Sequence, residues 1–233
     1  MKKIVILCTT LLAFAAPSWA QGDWVDLGLP SGLLWATHNV GANKPEEFGD
    51  HFSWGETEPK SEYRIANYRY FGGDENHITK YCYNPEYGKD GYIDSLAVLE
   101  PMDDAATVRW GNGVRTPTMD EWYELMENTE GKADTLNGVS GYRFTATNGN
   151  SIFLPAAGAY MGGQYEYWED FSPDWLKKLD NANVWGYYWA STLNTYSPKG
   201  IVAFLFCHNT CYVQGYTGGR YMGFSVRPVR SVR

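Results

Sequence analysis

The chain has 233 residues and a formal net charge of −8, so it lacks the basic footprint of a nucleic-acid binder. Its 18 tyrosines, 10 tryptophans and 25 glycines exclude a simple helical bundle and point to many short strands joined by ordered loops. Its 4 cysteines do not make a tidy disulfide framework, because one of them, Cys8, lies in the N-terminal apolar run.

That run reads as a signal peptide. Lys2 and Lys3 precede the apolar residues Ile4 to Ala16, Pro17 ends them, and Ser18 and Ala20 have the spacing for cleavage after Ala20. The run is too short to span a bilayer comfortably. Leu7 precedes Cys8, which does not fit a lipoprotein site. Residues 21–233 are expected to form one exported domain without an integral membrane segment. Its destination is the periplasm, the cell surface or the medium. Cys82, Cys207 and Cys211 remain in it, an odd number, so the fold must stand on its apolar core.

The first expected elements form a hairpin. Val25 and Leu27 alternate with polar residues, Pro30 to Gly32 turns the chain, and Leu33 to Thr37 returns as a strand. Residues 42–100 read as loops with short elements. "EPMDDAATVRWG" predicts a short helix capped by Asp103 or Asp104 and ended by Gly111. In "RTPTMDEWYELMEN", Thr118 is an N-cap with Glu121 three residues on, a capping box for a helix over 119–128. Trp122, Leu125 and Met126 share one face of that helix. Then come strand-like stretches: "GYRFTAT", "SIFLPAAG", "GYYWAST", "GIVAFLF" and "MGFSVRPV". "TNGN" at 147–150 is a hairpin turn between the first two. "EDFSPDWLKKLDNAN" reads as a surface loop with a short helical turn. Helices early and strands late, without alternation, give an α+β class.

Several of these segments together resemble a known family. "DLGLPSGLLWATHNVGA", "FGDHFSWGE", "DDAATVRWG", "GVRTPTMDEWYEL", "IFLPAAG", "YYWAST" and "GFSVRPVR", in this order, are similar to the Fibrobacter succinogenes major paralogous domain family of exported bacterial proteins. The resemblance runs over nearly the whole of residues 21–233. It implies a C-type-lectin-like fold related to formylglycine-generating enzymes, in which "RTPTMDEW" resembles a helix-opening segment. It further implies that the terminal strands meet at the base, the region of Trp24 to Leu27 against Ser225 to Val229.

For an enzyme of the formylglycine-generating type, Cys207 and Cys211 are the thiols to consider as a copper pair. Their surroundings do not resemble that group's catalytic segments. His38, His51, His77 and His208 have no ligand-like spacing. Glu56, Glu58 and Asp50 offer hard oxygens that suit calcium. The sugar motifs of calcium-dependent lectins are absent, since "NPE" at 84–86 is not one of them. The reading therefore assigns no catalytic residue, no cofactor and no metal.

"FCHNTCYVQGYTGG", residues 206–219, allows three readings. As a metal site it lacks a fourth ligand. As a hairpin tipped at Asn209, it brings Cys207 and Cys211 face to face as a disulfide closing a tiny loop. By the resemblance it implies a diversified segment. Some exported C-type-lectin-fold proteins are varied by retroelements that replace adenines of AAY codons, and every residue here except Gln214 lies in the reachable set. The scaffold is expected to be Trp185, Gly186, Trp189, Gly223, Phe224 and Val226. The ligand-binding set is Asn194, Tyr196, Leu205, Cys207, Asn209, Tyr212, Tyr216, Arg220 and Tyr221, rigid aromatics with adaptable polar groups. The expected function is non-catalytic binding of a protein or glycan at the cell surface. The alternatives are the oxidative or glycan-modifying metalloenzyme and a structural component of the envelope.

Overall fold

The computed structural model describes residues 24–111, 113–162, 172–197, 199–207, 210–216 and 219–232, without the side chains of 201 and 213–216. The expected signal peptide lies outside them. Among the described residues no helix is long and apolar enough to cross a membrane.

The architecture is α+β: a few short helices and several small sheets. β1 (Trp24–Asp26) and β2 (Leu33–Ala36) form the expected opening hairpin. β3 is His51–Phe52. After a loop-rich stretch, α1 (Ala105–Trp110) starts where Asp104 accepts the amide of Ala106. Gly111 closes it at φ +96°, a conformation that favours glycine. Asp103, the other candidate cap, instead binds Lys80 and the Tyr81 hydroxyl at 2.5 and 2.8 Å. β4 (Val114–Arg115) leads into α2 (Met119–Asn128). The capping box there is complete: Thr118 Oγ1 accepts the amide of Glu121, and Glu121 Oε2 accepts the amide of Thr118.

β5 (Thr129–Leu136), β6 (Val139–Ala146) and β7 (Ser151–Pro155) form an antiparallel sheet. The β6–β7 turn falls at 147–150 as expected, whereas β5 is an addition that no sequence pattern announced. β8 (Ala159–Tyr160) pairs with β9 (Leu179–Asp180), preceded by a 3-10 turn at Pro173–Lys177. β10 (Trp185–Trp189), β11 (Ile201–Cys207), β12 (Thr210–Tyr216) and β13 (Phe224–Ser225) join β3 in a sheet of order β12-β11-β10-β13-β3.

β14 (Val229–Ser231) ends the described chain in the sheet β1-β2-β14-β4. The first and last described strands therefore share one sheet, but β14 pairs with β2 and β4, not with β1. The expected direct pairing of 24–27 with 225–229 is corrected: Val229 lies opposite Trp35 and β2 separates it from β1.

The five-stranded sheet has a core on each face. Tyr188, Val202, Phe204 and Phe206 point into one cluster with Trp35, Trp122 and Leu154. Tyr187, Trp189, Ala203 and Leu205 point into the other with Phe52, Trp54 and Phe224. Trp122 stacks on Phe204 at 4.5 Å and 8°, and Trp189 on Phe224 at 4.3 Å and 25°. These rings bury large areas and fix the sheet from both sides.

Candidate functional site

The register of the β10–β11–β12 ladder decides which side chains of the C-terminal hairpin reach solvent. Trp185 lies opposite Cys207, which lies opposite Thr210. In the next row of the same face, Tyr187 lies opposite Leu205, which lies opposite Tyr212. Trp185 stacks on Tyr187 at 5.9 Å and 26°. Trp185, Cys207 and Tyr212 are half-buried and Thr210 is exposed. Trp185 and Tyr212 also pack against the core cluster on that face. The result is a short aromatic strip at the outer end of the sheet, each ring held from below.

The predicted binding residues divide along this geometry. Tyr196 is fully exposed at 100%. It sits in a turn built by Asn194, whose Oδ1 accepts the amides of Tyr196 and Ser197 at 3.1 and 3.2 Å. Cys207 and Tyr212 lie on the strip. Tyr216 ends β12 opposite Ile201, with its side chain outside the description, and Asn209 lies outside the described residues.

Three predicted members do not belong on a surface. Leu205 is 4% exposed because strand alternation points it into the core. Arg220 is 0% exposed. Its guanidinium donates to the carbonyls of Tyr81 at 2.8 Å and Lys80 at 3.3 Å and lies 5.2 Å from the Trp54 ring. Tyr221 is 5% exposed, and its carbonyl accepts the Ser53 hydroxyl at 2.9 Å. Arg220 and Tyr221 therefore tie the loops of 53–54 and 80–81 to the end of the sheet. Sequence reasoning missed Trp185 as a surface ring, having placed it in the scaffold. The signal was the alternation of Trp185, Tyr187 and Trp189, which puts all three on one face.

The three thiols of the described chain are free. Cys207 and Cys211 do not face each other, since Cys211 lies opposite Phe206 and packs with the other core cluster. Of the three readings of this stretch, the cross-strand disulfide is thereby overturned. Burial pushes the Cys211 thiol up, against a partial offset from the Tyr142 hydroxyl. Burial also pushes Cys82 up. A reactive thiol needs the opposite shift.

His51 and His38 are similarly occupied, and His208 lies outside the described residues. Burial pushes His51 down to about 4, against the hydrogen bonds of the Gly158 and Ala157 backbone. His38 lies 5.0 Å from the Trp110 ring. Glu56 pairs with Lys60 at 2.7 Å, and Glu58 with Arg109 at 2.6 Å, so these carboxylates are bound to cations of the chain. No three His, Cys, Asp or Glu side chains among the described residues stand close enough to hold a metal.

No family model, no curated protein and no solved structure matches the chain.

Proposed function

We propose that the chain is an exported, non-catalytic binding protein with a C-type-lectin-like fold. It recognises a protein or glycan ligand at the cell surface through the outer end of the β10–β12 ladder and the 194–197 turn. The observation that carries this reading is the strip of Trp185, Cys207 and Tyr212, half-exposed above a sheet buried on both faces. A two-sided core holds such rings at low entropic cost, which is what a rigid aromatic binding surface requires. Exposed Tyr196 adds a further anchor on an ordered turn. The return of β14 to the sheet that holds β1 supports the lectin-like fold. Between the buried Trp189–Ala190 and Phe224–Val226, the exposed Tyr196 and the half-buried Cys207 and Tyr212 are the positions that diversification would vary.

The test is a binding screen of the purified protein on a glycan array and an array of extracellular proteins. Tyr196→Ala combined with Tyr212→Ser is expected to weaken ligand binding at least tenfold in a protein that stays folded, with Tyr212→Ser lowering the melting temperature because its ring packs on the core cluster. An affinity that survives both substitutions, or no ligand on either array, overturns the reading. Sequencing the gene across one population tests diversification separately. Substitutions at adenine positions between the codons of Tyr187 and Gly223 support it, and a uniform region removes it.

A further inference from the structure

A cavity of about 420 Å³ lies apart from the C-terminal strip, within the range of roughly 300 to 1,000 Å³ typical of small-ligand sites. Its apolar wall is Val98, Leu99, Pro101 and Val114. The walls are fixed to one another before any ligand arrives. Leu99 donates its amide to the Ser191 carbonyl at 3.0 Å, Val98 bridges Thr192, and Thr107 Oγ1 donates to the Val114 carbonyl at 2.8 Å.

The two charged residues of the wall are already matched. Asp104 accepts the amides of Ala106 and Thr116 at 2.9 and 2.8 Å and the Thr116 hydroxyl at 2.7 Å. Arg115 donates from both terminal nitrogens to the two oxygens of Glu121, at 2.7 and 2.5 Å. A charged ligand would find no free counter-charge in either residue. Ser191 is different. It lines the cavity, is 2% exposed, and its hydroxyl has no partner among the described residues. Its oxygen is closed to solvent in this rotamer and no partner among the described residues holds it there, so a ligand meets it when Ser191 turns about Cα–Cβ towards the cavity.

We infer that this cavity binds a neutral small molecule with a compact apolar body and one hydrogen-bonding group directed at Ser191. Phenol and toluene are suitable probes, since they share a shape and differ by a hydroxyl against a methyl. Titrating each into the isotope-labelled protein and following the backbone amides by NMR reads the site directly. Saturable shifts are expected at Leu99, Val114 and Ser191, with phenol binding about fivefold tighter than toluene. Ser191→Ala removes a hydroxyl with no protein partner, so it is expected to abolish that preference and leave the fold unchanged. Val98→Trp, at a position 43% exposed, is expected to fill the mouth and abolish both titrations. Shifts that do not saturate, or equal binding of the two probes by the unaltered protein, overturn the inference without recourse to any variant. A preference for phenol that persists in Ser191→Ala overturns it too. A fixed water that satisfies Ser191 would give phenol no advantage, and so counts against the inference.

Discussion

Cys207 and Cys211 stand on opposite faces of the β11–β12 ladder, because Cys207 is opposite Thr210 while Cys211 is opposite Phe206. Side chains alternate along a strand, and four residues spanning a tight reversal do not restore the same face. A disulfide needs its two Cβ atoms about 3.5 to 4.5 Å apart, which opposite faces of a sheet do not offer. Peptide mapping of the unreduced protein is therefore expected to find Cys82, Cys207 and Cys211 as thiols. Replacing Cys207 and Cys211 together by Ser is expected to cost no more than about 1 kcal/mol. A peptide linked through Cys207 and Cys211 would refute the register.

Glu121 does two things at the start of α2. It closes the capping box with Thr118 and holds Arg115 through both carboxylate oxygens. Thr118→Ala removes only the cap and is expected to cost about 1 kcal/mol. Glu121→Ala removes the reciprocal bond and leaves Arg115 without its partner, so it is expected to cost more than Thr118→Ala. Denaturant unfolding of both variants checks the ranking, and the reverse order would show that the ion pair contributes little.

That helix was legible because its signals are local. The cap, the box and the apolar face of Trp122 and Leu125 all lie within eleven residues, and the structure places them as the pattern says. β5 was not legible for the opposite reason. "TEGKADTL" has few β-forming residues, and pairing with all of β6 makes it a strand. The same distinction runs through the candidate site. Tyr196 and Asn194 form a turn that a short stretch of sequence specifies. Arg220 looks like a surface arginine until the chain near Tyr81, 139 residues away in sequence, supplies a carbonyl for it. Burial imposed by distant backbone leaves no local mark, which is why the predicted surface contracted to the strip and the turn.

His51 gives the fold a sensitivity to acid. It is buried beside the Tyr160 ring, 5.2 Å away, with Nε2 3.2 Å from the Ala157 carbonyl. Burial lowers its folded pKa from 6.5 to about 4, the backbone of Gly158 and Ala157 offsetting part of the effect. Between those values the unfolded chain holds a proton that the folded chain does not. Stability is therefore expected to fall as pH drops from about 6.5 towards 4, by up to about 3 kcal/mol from this residue. Carboxylates add their own losses at the acid end, so the comparison is with His51→Asn. If urea unfolding of that variant has the same slope against pH across this window, His51 is not the source.

Gly186 is where the two-sided packing of the sheet leaves no room for a side chain. A Cβ there would meet the Phe206 ring at 2.1 Å, and Phe206 lies directly opposite on β11. Phe206 is itself fixed by Tyr142 at 5.5 Å and Tyr188 at 6.1 Å, so it has little freedom to retreat. Gly186→Ala is expected to cost about 1 to 3 kcal/mol as overpacking. The cost should shrink when Phe206→Leu is added, because the double variant relieves the same clash that the single variant creates. Thermal or denaturant unfolding of the four proteins in this cycle measures the coupling. Additive losses would mean that the alanine strains the backbone rather than the ring. The β10–β11 spacing, and with it the position of Trp185 above Cys207, would then rest on something other than Phe206.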